Sequence, residues 1–185
     1  NANYGVVYIR GEYPESVEII REAVYHLQQE GLVGSNIQGS GFNFEFKIIK
    51  AQGAYICGEE TALLSSIEGQ RPEVRVRPPY PTQKGLFNKP TVVNNVETLA
   101  NLPWIMQHGG KAFAAIGTPK SSGTKLLSLD GYFKRAGVYE VDMGTPLRYV
   151  VDELAGGFRT TVKAMHIGGP LGGLVPISKI DNLTV

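Results

Sequence analysis

Residues 53–63, with the sequence GAYICGEETAL, decide the fold of the first part of the chain and mark a candidate site. They predict a helix from about Glu59 to Glu68 that begins with two carboxylates, Glu59 and Glu60, directly after Gly58. The first turn of a helix has unpaired N–H groups, and a preceding glycine lets a ligand approach the backbone. The two carboxylates disfavour a phosphate there and suit a hydroxyl, an amide or an amine. Ordinary first-turn acids are the alternative interpretation.

Residues 89–99, with the sequence KPTVVNNVETL, predict a second helix start. Asparagine is a preferred N-cap residue, so we expect the helix to begin at Asn94 or Asn95, with Glu97 in a capping box. Thr98 lies one turn above the asparagines, and the three side chains can converge on one phosphate. A plain N-cap followed by a helix-interior threonine is the alternative.

Upstream of the first motif the pattern predicts a strand, a helix and a second strand. Residues 5–10 form a short apolar run, and residues 42–48 alternate apolar with polar side chains, so both predict strands. Residues 14–30 predict a helix, with Pro14 in its first turn and apolar residues spaced three and four apart. This order is typical of an α/β domain.

The segment between the two motifs, residues 71–90, is rich in proline and predicts a long extended loop. Loops of this length are usually functional. Arg75 and Arg77 alternate within it and can present two cations on one side, although solvated surface charge is the commoner reason for such a pair.

Residues 117–123 predict a linker, and we therefore expect one domain over residues 1–118 and another over residues 119–185. The second domain is predicted to contain a hairpin, a helix and a strand, formed by residues 125–129 with 138–141, by residues 146–155 and by residues 163–167. Thr145 is expected to cap the helix and Pro146 to occupy its first position. This order is typical of a β-grasp, ubiquitin-like domain, and other small α+β folds share it.

Composition excludes several classes of function. The net charge of +1 comes without a basic run or a basic face interleaved with aromatic side chains, so we expect no nucleic-acid partner. The single cysteine, Cys57, is interpreted as a packing residue, and the 3 histidines lie too far apart for a metal site. No apolar run reaches the roughly 20 residues of a membrane span, which predicts a cytoplasmic protein without direct membrane insertion.

Three further stretches resemble a known family when taken with the two motifs. They are residues 8–14 (YIRGEYP), residues 75–81 (RVRPPYP) and residues 85–87 (GLF). Together they are similar to the FMN- and NADH-binding 51-kDa-type chain of respiratory complex I and to its relatives in NAD(P)-linked hydrogenases and formate dehydrogenases. The end of the chain resembles, more weakly, the family's soluble-ligand-binding β-grasp (SLBB) domain. The resemblance implies a partial Rossmann-like flavin-binding domain followed by a β-grasp domain.

The resemblance implies roles for the residues of the first motif. Tyr55, Gly58, Glu59 and Glu60 are expected to line the isoalloxazine side of an FMN site. Glu60 is the expected catalytic residue, because it would touch both the flavin and the nicotinamide of NAD(H). A carboxylate there disfavours an anionic reduced flavin and so helps to set the potential.

The resemblance also implies roles outside that motif. Asn94, Asn95 and Thr98 are expected to hold the ribityl phosphate of FMN. Arg77 stands where many family members have lysine near the bound dinucleotide. An arginine can engage a phosphate with two hydrogen bonds, so the preference between NADH and NADPH stays open.

The family's glycine-rich loop and its Asn-x-Asp-Glu segment precede the region that this chain resembles, and four cysteines that bind a 4Fe-4S cluster follow it. The chain contains neither feature and begins at Asn1 without methionine. We therefore expect a fragment, with the cluster ligands present only in a full-length subunit. We expect weak or absent FMN binding by this fragment, and no NADH oxidation.

These expectations combine into a function. The family's subunit is an NADH:quinone oxidoreductase (NADH dehydrogenase) component that accepts hydride from NADH on FMN and passes electrons to iron–sulfur clusters. Its expected partners are other subunits of the complex, notably a 2Fe-2S subunit, and any membrane association would be made through them. A diaphorase subunit of a hydrogenase or formate dehydrogenase is one alternative, favoured by Arg77 and by residues 168–176 (GGPLGGLVP). A non-catalytic module that binds a ligand or a partner is another.

Overall fold

The structure of the chain is a computed structural model that describes residues 2–185. Helices and short strands are mixed, and each sheet of the described residues has two strands. The chain packs into two compact units that divide between Asn94 and Asn95. This division by packing lies upstream of residue 118, where the sequence predicts a domain boundary, and that boundary stays a prediction.

The first unit opens with a strand, a helix and a parallel strand, as the sequence predicts. These elements are β1 (Tyr4–Arg10), α1 (Pro14–Gln29) and β2 (Glu45–Ala51). The register runs from Tyr4 opposite Glu45 to Arg10 opposite Ala51. Parallel strands need a crossover, which α1 supplies while burying Val17. The second strand begins three residues later than predicted, because Phe44 instead forms an isolated bridge with Gly34.

The first motif forms a turn and then a helix. A short 3-10 turn, Tyr55–Gly58, follows β2 and leads into α2 (Glu60–Ile67), close to the predicted helix. Ala62 and Leu64 of α2 are fully buried. The hydroxyl groups of Tyr8 and Ser66 lie 2.9 Å apart, so β1 is hydrogen-bonded to α2.

The proline-rich segment is irregular up to Tyr80, as expected, and then forms two short turns. These are α3 (Pro81–Lys84) and a 3-10 turn at Leu86–Asn88. Gly85 separates the two turns, and a Cβ atom there would lie only 2.5 Å from the Cβ of Thr91. The close packing around this position therefore requires glycine.

The second unit begins with three short helices. They are α4 (Val96–Ala100), α5 (Leu102–His108) and α6 (Gly110–Ala114). Asn95 is the N-cap of α4, one of the two predicted starts. A helical break at Asn101 precedes Pro103, which lies in the first turn of α5, where a residue without a backbone N–H is tolerated.

Three antiparallel hairpins follow. The pairs are β3 (Gly117–Thr118) with β4 (Ser121–Ser122), β5 (Thr124–Leu129) with β6 (Gly137–Asp142), and β7 (Ala164–Ile167) with β8 (Gly173–Pro176). The first pair corrects the prediction of a linker, because residues 117–122 form a tight hairpin. Strand β8 has no counterpart in the predicted elements, and the glycine-rich stretch before it forms the connection from β7.

The helix of the second unit departs from its prediction. It consists of α7 (Leu147–Tyr149), which continues directly as a π-helical turn over Val150–Leu154. Its N-cap is Pro146, so the prediction of Thr145 as the cap is wrong: the Thr145 hydroxyl donates a 2.7 Å hydrogen bond to the Asp142 carbonyl instead.

The core of the second unit forms around α7. Leu147 and Val151 pack with Ile180 of the 3-10 turn Ile177–Asn182. Partly buried apolar side chains surround these three, namely Phe133, Phe158, Met165, Ile177 and Val185. Among the helices of residues 2–185, none combines the length and the apolar character that crossing a bilayer requires.

Candidate functional site

The carboxylate of Glu59 caps the first turn of α2. Its Oε2 accepts three hydrogen bonds: from the backbone N–H groups of Thr61 and Ala62, each at 2.9 Å, and from the Thr61 hydroxyl at 2.5 Å. Glutamate is longer than the usual N-cap residues, yet it satisfies two of the N–H groups that a helix start leaves unpaired. The residue expected to face a flavin is therefore also part of the helix start.

Arg77 joins the two carboxylates of the motif. Its Nη2 donates to Oε1 of Glu59 and lies 3.0 Å from Oε1 of Glu60. The three side chains are between 28% and 35% exposed. The structure thus brings together three of the predicted site residues, and the cation offsets the repulsion between two adjacent acids.

The pKa of Glu59 lies below its usual value. Partial burial acts to raise this pKa, but the hydrogen bonds from Thr61 and Ala62 and the positive charge of Arg77 together outweigh the burial. The carboxylate is therefore held in its charged form at neutral pH. The negative charge of Glu59 strengthens both its hydrogen bonds to the start of α2 and its ion pair with Arg77.

Arg75 has a different role from Arg77. Its backbone N–H donates to the Thr61 hydroxyl at 2.9 Å, its Nε to the Ser65 hydroxyl at 3.1 Å, and its Nη2 to Oε2 of Glu68 at 2.7 Å. The three acceptors follow one face of α2 and its C-cap residue, Glu68. Arg75 therefore fastens the proline-rich segment along the helix, and this fastening places Arg77 beside the acids.

The turn before α2 presents an open face. The Tyr55 side chain is 53% exposed, and a Cβ atom added at Gly58 would have no neighbour within 4 Å. Cys57 of the same turn is buried, as expected for a packing residue. A Cβ atom at Gly53 would lie 3.1 Å from the Tyr8 hydroxyl and 3.3 Å from the Cys57 sulfur, so a larger residue there would have to displace these side chains slightly.

The second motif forms a simpler helix start. The Asn95 side-chain oxygen accepts a hydrogen bond from the Glu97 N–H at 2.7 Å, which is the plain N-cap. Asn94, Asn95 and Thr98 are all exposed. The sequence interpretation of Asn95 as a cap is confirmed, and its side-chain NH2 group remains a potential donor.

The predicted capping box is absent from this helix start, because Glu97 turns toward strand β5. Its carboxylate accepts a 2.9 Å hydrogen bond from the Leu126 N–H and pairs with the Lys125 ammonium group. The hydrogen bond from Lys125, with that from Leu126, lowers the pKa of Glu97. Glu97 thus joins α4 to the strand within the second unit.

Two contributors to the first site are missing from the sequence-based set. Thr61 and Ser65 are the buried polar residues of α2, and both contact Arg75. The only sequence signal for Thr61 is its position two residues after the capping Glu59. A threonine in that position also fits an ordinary residue of the helix interior. Within residues 2–185, no cluster of metal-ligating side chains is present.

Comparison with known protein families identifies one that matches this part of the chain. Residues 1–104 match the family described as the Nuo51 FMN-binding domain. The match includes every site residue discussed above, from Tyr55 to Thr98.

Curated relatives extend the likeness to nearly the whole chain. The F-type chain of the NADH-quinone oxidoreductase of Aquifex aeolicus is 51% identical over 169 residues, which cover 90% of this chain and 40% of that protein. The HndC chain of the NADP-reducing hydrogenase of Solidesulfovibrio fructosivorans is 44% identical over 182 residues, covering 97% of this chain and 37% of that protein. The chain therefore spans less than half the length of these relatives.

Two solved structures are also similar to nearly the whole chain. The NAD+-reducing NiFe hydrogenase in its H2-reduced state superposes with a TM-score of 0.85 at 35% identity, covering 97% of this chain and 30% of that one. The NAD+-reducing NiFe hydrogenase in its air-oxidized state gives a TM-score of 0.86 at 34% identity, covering 100% of this chain and 30% of that one.

Proposed function

This chain belongs to the family of the Nuo51 FMN-binding domain, and on that premise we propose that it is part of a subunit that takes hydride from NADH onto FMN. The observation that carries the proposal is the cluster of Glu59, Glu60 and Arg77 at the start of α2, inside the matched residues. Two acids and a cation held beside an open turn are suited to binding a polar, planar cofactor.

The open face of this turn fits an isoalloxazine ring. The exposed Tyr55 ring offers an apolar surface with a polar tip, and the space beside Gly58 lets a flat group approach the backbone. The Glu60 carboxylate is partly exposed and can accept a hydrogen bond from a ring N–H or from an amide. When bound, FMN supplies the chemistry of accepting hydride and releasing electrons singly.

The chain's own residues then have positioning and electrostatic roles. We assign Glu60 to contact both the flavin and the nicotinamide amide, which would hold the two rings in stacking distance. Glu59 stays charged because of its cap and ion pair, and Arg77 limits the net negative charge that an incoming dinucleotide meets. The forked donor of Arg77 also suits a phosphate, so both NADH and NADPH remain candidate substrates.

We assign the phosphate end of FMN to Asn94, Asn95 and Thr98. Their exposure supports this assignment, and so does the Asn95 side-chain NH2 group, which the cap leaves available. A phosphate near a helix start also gains from unpaired backbone N–H groups. This assignment is tested separately from that of the acid pair.

We further propose the finer architecture of the family. The parallel pair β1–β2 with its α1 crossover supports a partial Rossmann-like domain over residues 1–118. The order of β5, β6, α7 and β7 supports a β-grasp domain over residues 119–185.

The family relatives suggest a place in a larger complex. We propose partner subunits of complex I or of a hydrogenase, with a 2Fe-2S subunit among them, and membrane association only through such partners. A diaphorase subunit of an NAD(P)-reducing hydrogenase is the second candidate function. It is favoured by the likeness to HndC and to the NAD+-reducing hydrogenase structures. The electron acceptor with which the purified complex oxidises NADH separates the two.

The test uses Glu60→Gln and Asn95→Asp in the intact protein, with Glu22→Gln on the exposed side of α1 as control. We expect Glu60→Gln to lower kcat/KM for NADH by about 10- to 100-fold, or about 1.4–2.7 kcal/mol. Asn95→Asp keeps a good cap but sets a negative charge against a phosphate, so bound FMN should fall about tenfold. If flavin content and NADH oxidation survive both changes, the non-catalytic binding module becomes the leading hypothesis.

A further inference from the structure

Thr61 lies at the centre of the hydrogen bonds that hold the acid pair. Its side chain is only 2% exposed. The hydroxyl oxygen accepts from the Arg75 N–H at 2.9 Å and lies 2.5 Å from Oε2 of Glu59. One buried hydroxyl therefore connects the proline-rich segment to the carboxylate that caps α2.

The direction of these hydrogen bonds is fixed by chemistry. A backbone N–H can only donate, so the Thr61 oxygen must accept from Arg75. The charged Glu59 carboxylate can only accept, so the hydroxyl hydrogen must point to Oε2. Three donors then converge on Oε2, and Oε1 is left for Arg77.

We propose that Thr61 is a positioning residue for the candidate flavin site. Its hydroxyl fixes the rotation of the Glu59 carboxylate, so that Oε1 faces Arg77, and through Arg77 it fixes the place of Glu60. The methyl group of Thr61 fills space in the core, but the hydroxyl has the functional role. The importance of this role for catalysis rests on the function proposed above, whereas the role itself does not.

Several charged groups surround the Glu59 carboxylate and bear on its titration. Arg77 contacts it directly, and Glu60 shares that cation from the same helix. Arg75 reaches the network through its backbone, while its side chain is paired with Glu68. All four charges are retained when only the hydroxyl of Thr61 is removed.

The test compares Thr61→Val, which keeps the shape and removes the hydroxyl, with Thr61→Ser, which keeps the hydroxyl and removes the methyl group. The full chain is labelled at the glutamate side-chain carbonyl carbon with ¹³C, and the Glu59 resonance is followed by NMR across an acid titration. We expect an upward shift of the Glu59 midpoint in Thr61→Val, because a donor to the charged form is lost. Thr61→Ser should titrate as the unsubstituted protein does.

The thermal unfolding midpoints of the two variants give a second readout. The proposal expects Thr61→Val to be the less stable variant, because the Arg75 N–H loses its acceptor. If Thr61 has only a packing role, the order reverses and the Glu59 midpoint stays unchanged in Thr61→Val. That result overturns the proposal. If valine prevents folding, Thr61→Ala removes the same hydroxyl and is judged by the same titration.

The titration needs no flavin, so it can succeed even if the chain proves not to bind one. The kcat/KM of Glu60→Gln and the bound FMN of Asn95→Asp concern the proposed function alone. An unshifted Glu59 titration midpoint in Thr61→Val would overturn only the role proposed for Thr61.

Discussion

The two helix starts that carry the candidate site residues, at α2 and at α4, are built by different means. At α2, the capping carboxylate of Glu59 is also fixed by Thr61 and paired with Arg77, which lies 18 positions along the chain. At α4, Asn95 caps its own helix by accepting from a neighbour two positions away, and Asn94, Asn95 and Thr98 are exposed. The cap of α2 is therefore fixed by tertiary contacts, whereas the cap of α4 depends on local sequence, and the tertiary contacts of α4 are made by Glu97 instead.

This difference separates preorganisation from simple helix capping. A group that must keep one orientation against a ligand needs several fixed contacts, and the Glu59 carboxylate has four donors. A group that holds a phosphate can be exposed and adjust on binding. We therefore expect the α2 start to be sensitive to distant substitutions and the α4 start to respond mainly to changes at the cap.

The largest expected effect is a loss of stability when a buried leucine of α2 is shortened, compared with an exposed leucine of α4. Leu64→Ala on α2 removes a side chain that is 1% exposed and should lower the free energy of unfolding by about 2–5 kcal/mol. Leu99→Ala on α4, where the side chain is 47% exposed, should cost under about 1 kcal/mol. Urea unfolding of both variants measures the difference. Equal costs would mean that α4 is covered in solution and that the contrast is wrong.

The next effect concerns the local cap. Asn95→Ala should cost about 1 kcal/mol, because the Glu97 N–H loses its acceptor, and Asn95→Gly should cost only a few tenths. Asn94→Ala is the matched control, since Asn94 is exposed and does not cap the helix. The same urea experiment gives all three values. A cost at Asn94 equal to that at Asn95 would contradict the assignment of the cap.

A smaller effect is expected on how the free energy of unfolding depends on pH. The pKa of Glu59 is lowered in the folded chain, so its stabilising contribution is complete above the unfolded glutamate pKa, about 4.3. This contribution is lost as the pH falls from there through the folded value. Glu59→Gln should therefore flatten the acid side of the plot of unfolding free energy against pH. An unchanged slope below pH of about 4 would show that Glu59 titrates as in the unfolded chain.

The smallest effect is expected at the ion pair of α4. Lys125→Met removes the cation beside Glu97, and because the pair is partly exposed it should cost about 0.2–1 kcal/mol. The cost should shrink in about 1 M salt, where the screening length is about 3 Å. A cost that does not respond to salt would contradict an electrostatic role for this ion pair.

Local elements of this chain can be predicted from sequence because their causes are local. The apolar spacing of α1, the cap at Asn95 and the break before Pro103 each depend on residues a few positions apart. The start of α7 is predicted less well. Thr145 resembles a cap, but its hydroxyl bonds back to Asp142, so the helix begins after Pro146.

The hydrogen-bond network at the start of α2 cannot be predicted in the same way, because it forms only when the proline-rich segment folds back onto the helix. Nothing in the pattern of residues 71–80 tells which of Arg75 and Arg77 will lie along the helix and which beside the acids. The structure gives Arg75 two partners on α2 and a third at its C-cap, Glu68, and gives Arg77 the two carboxylates. Thr61 escapes prediction for the same reason, since its second partner is 14 positions away.

The central claim is that the open face of the Tyr55–Glu60 turn holds the flavin ring, and a structure of the intact protein with bound FMN tests it most directly. The account predicts an isoalloxazine ring beside Gly58, with the Glu60 carboxylate within hydrogen-bond distance, about 3 Å, of the flavin or of a bound nicotinamide. A flavin ring bound through other residues, with Arg77 still closed over Glu59 and Glu60, would contradict it.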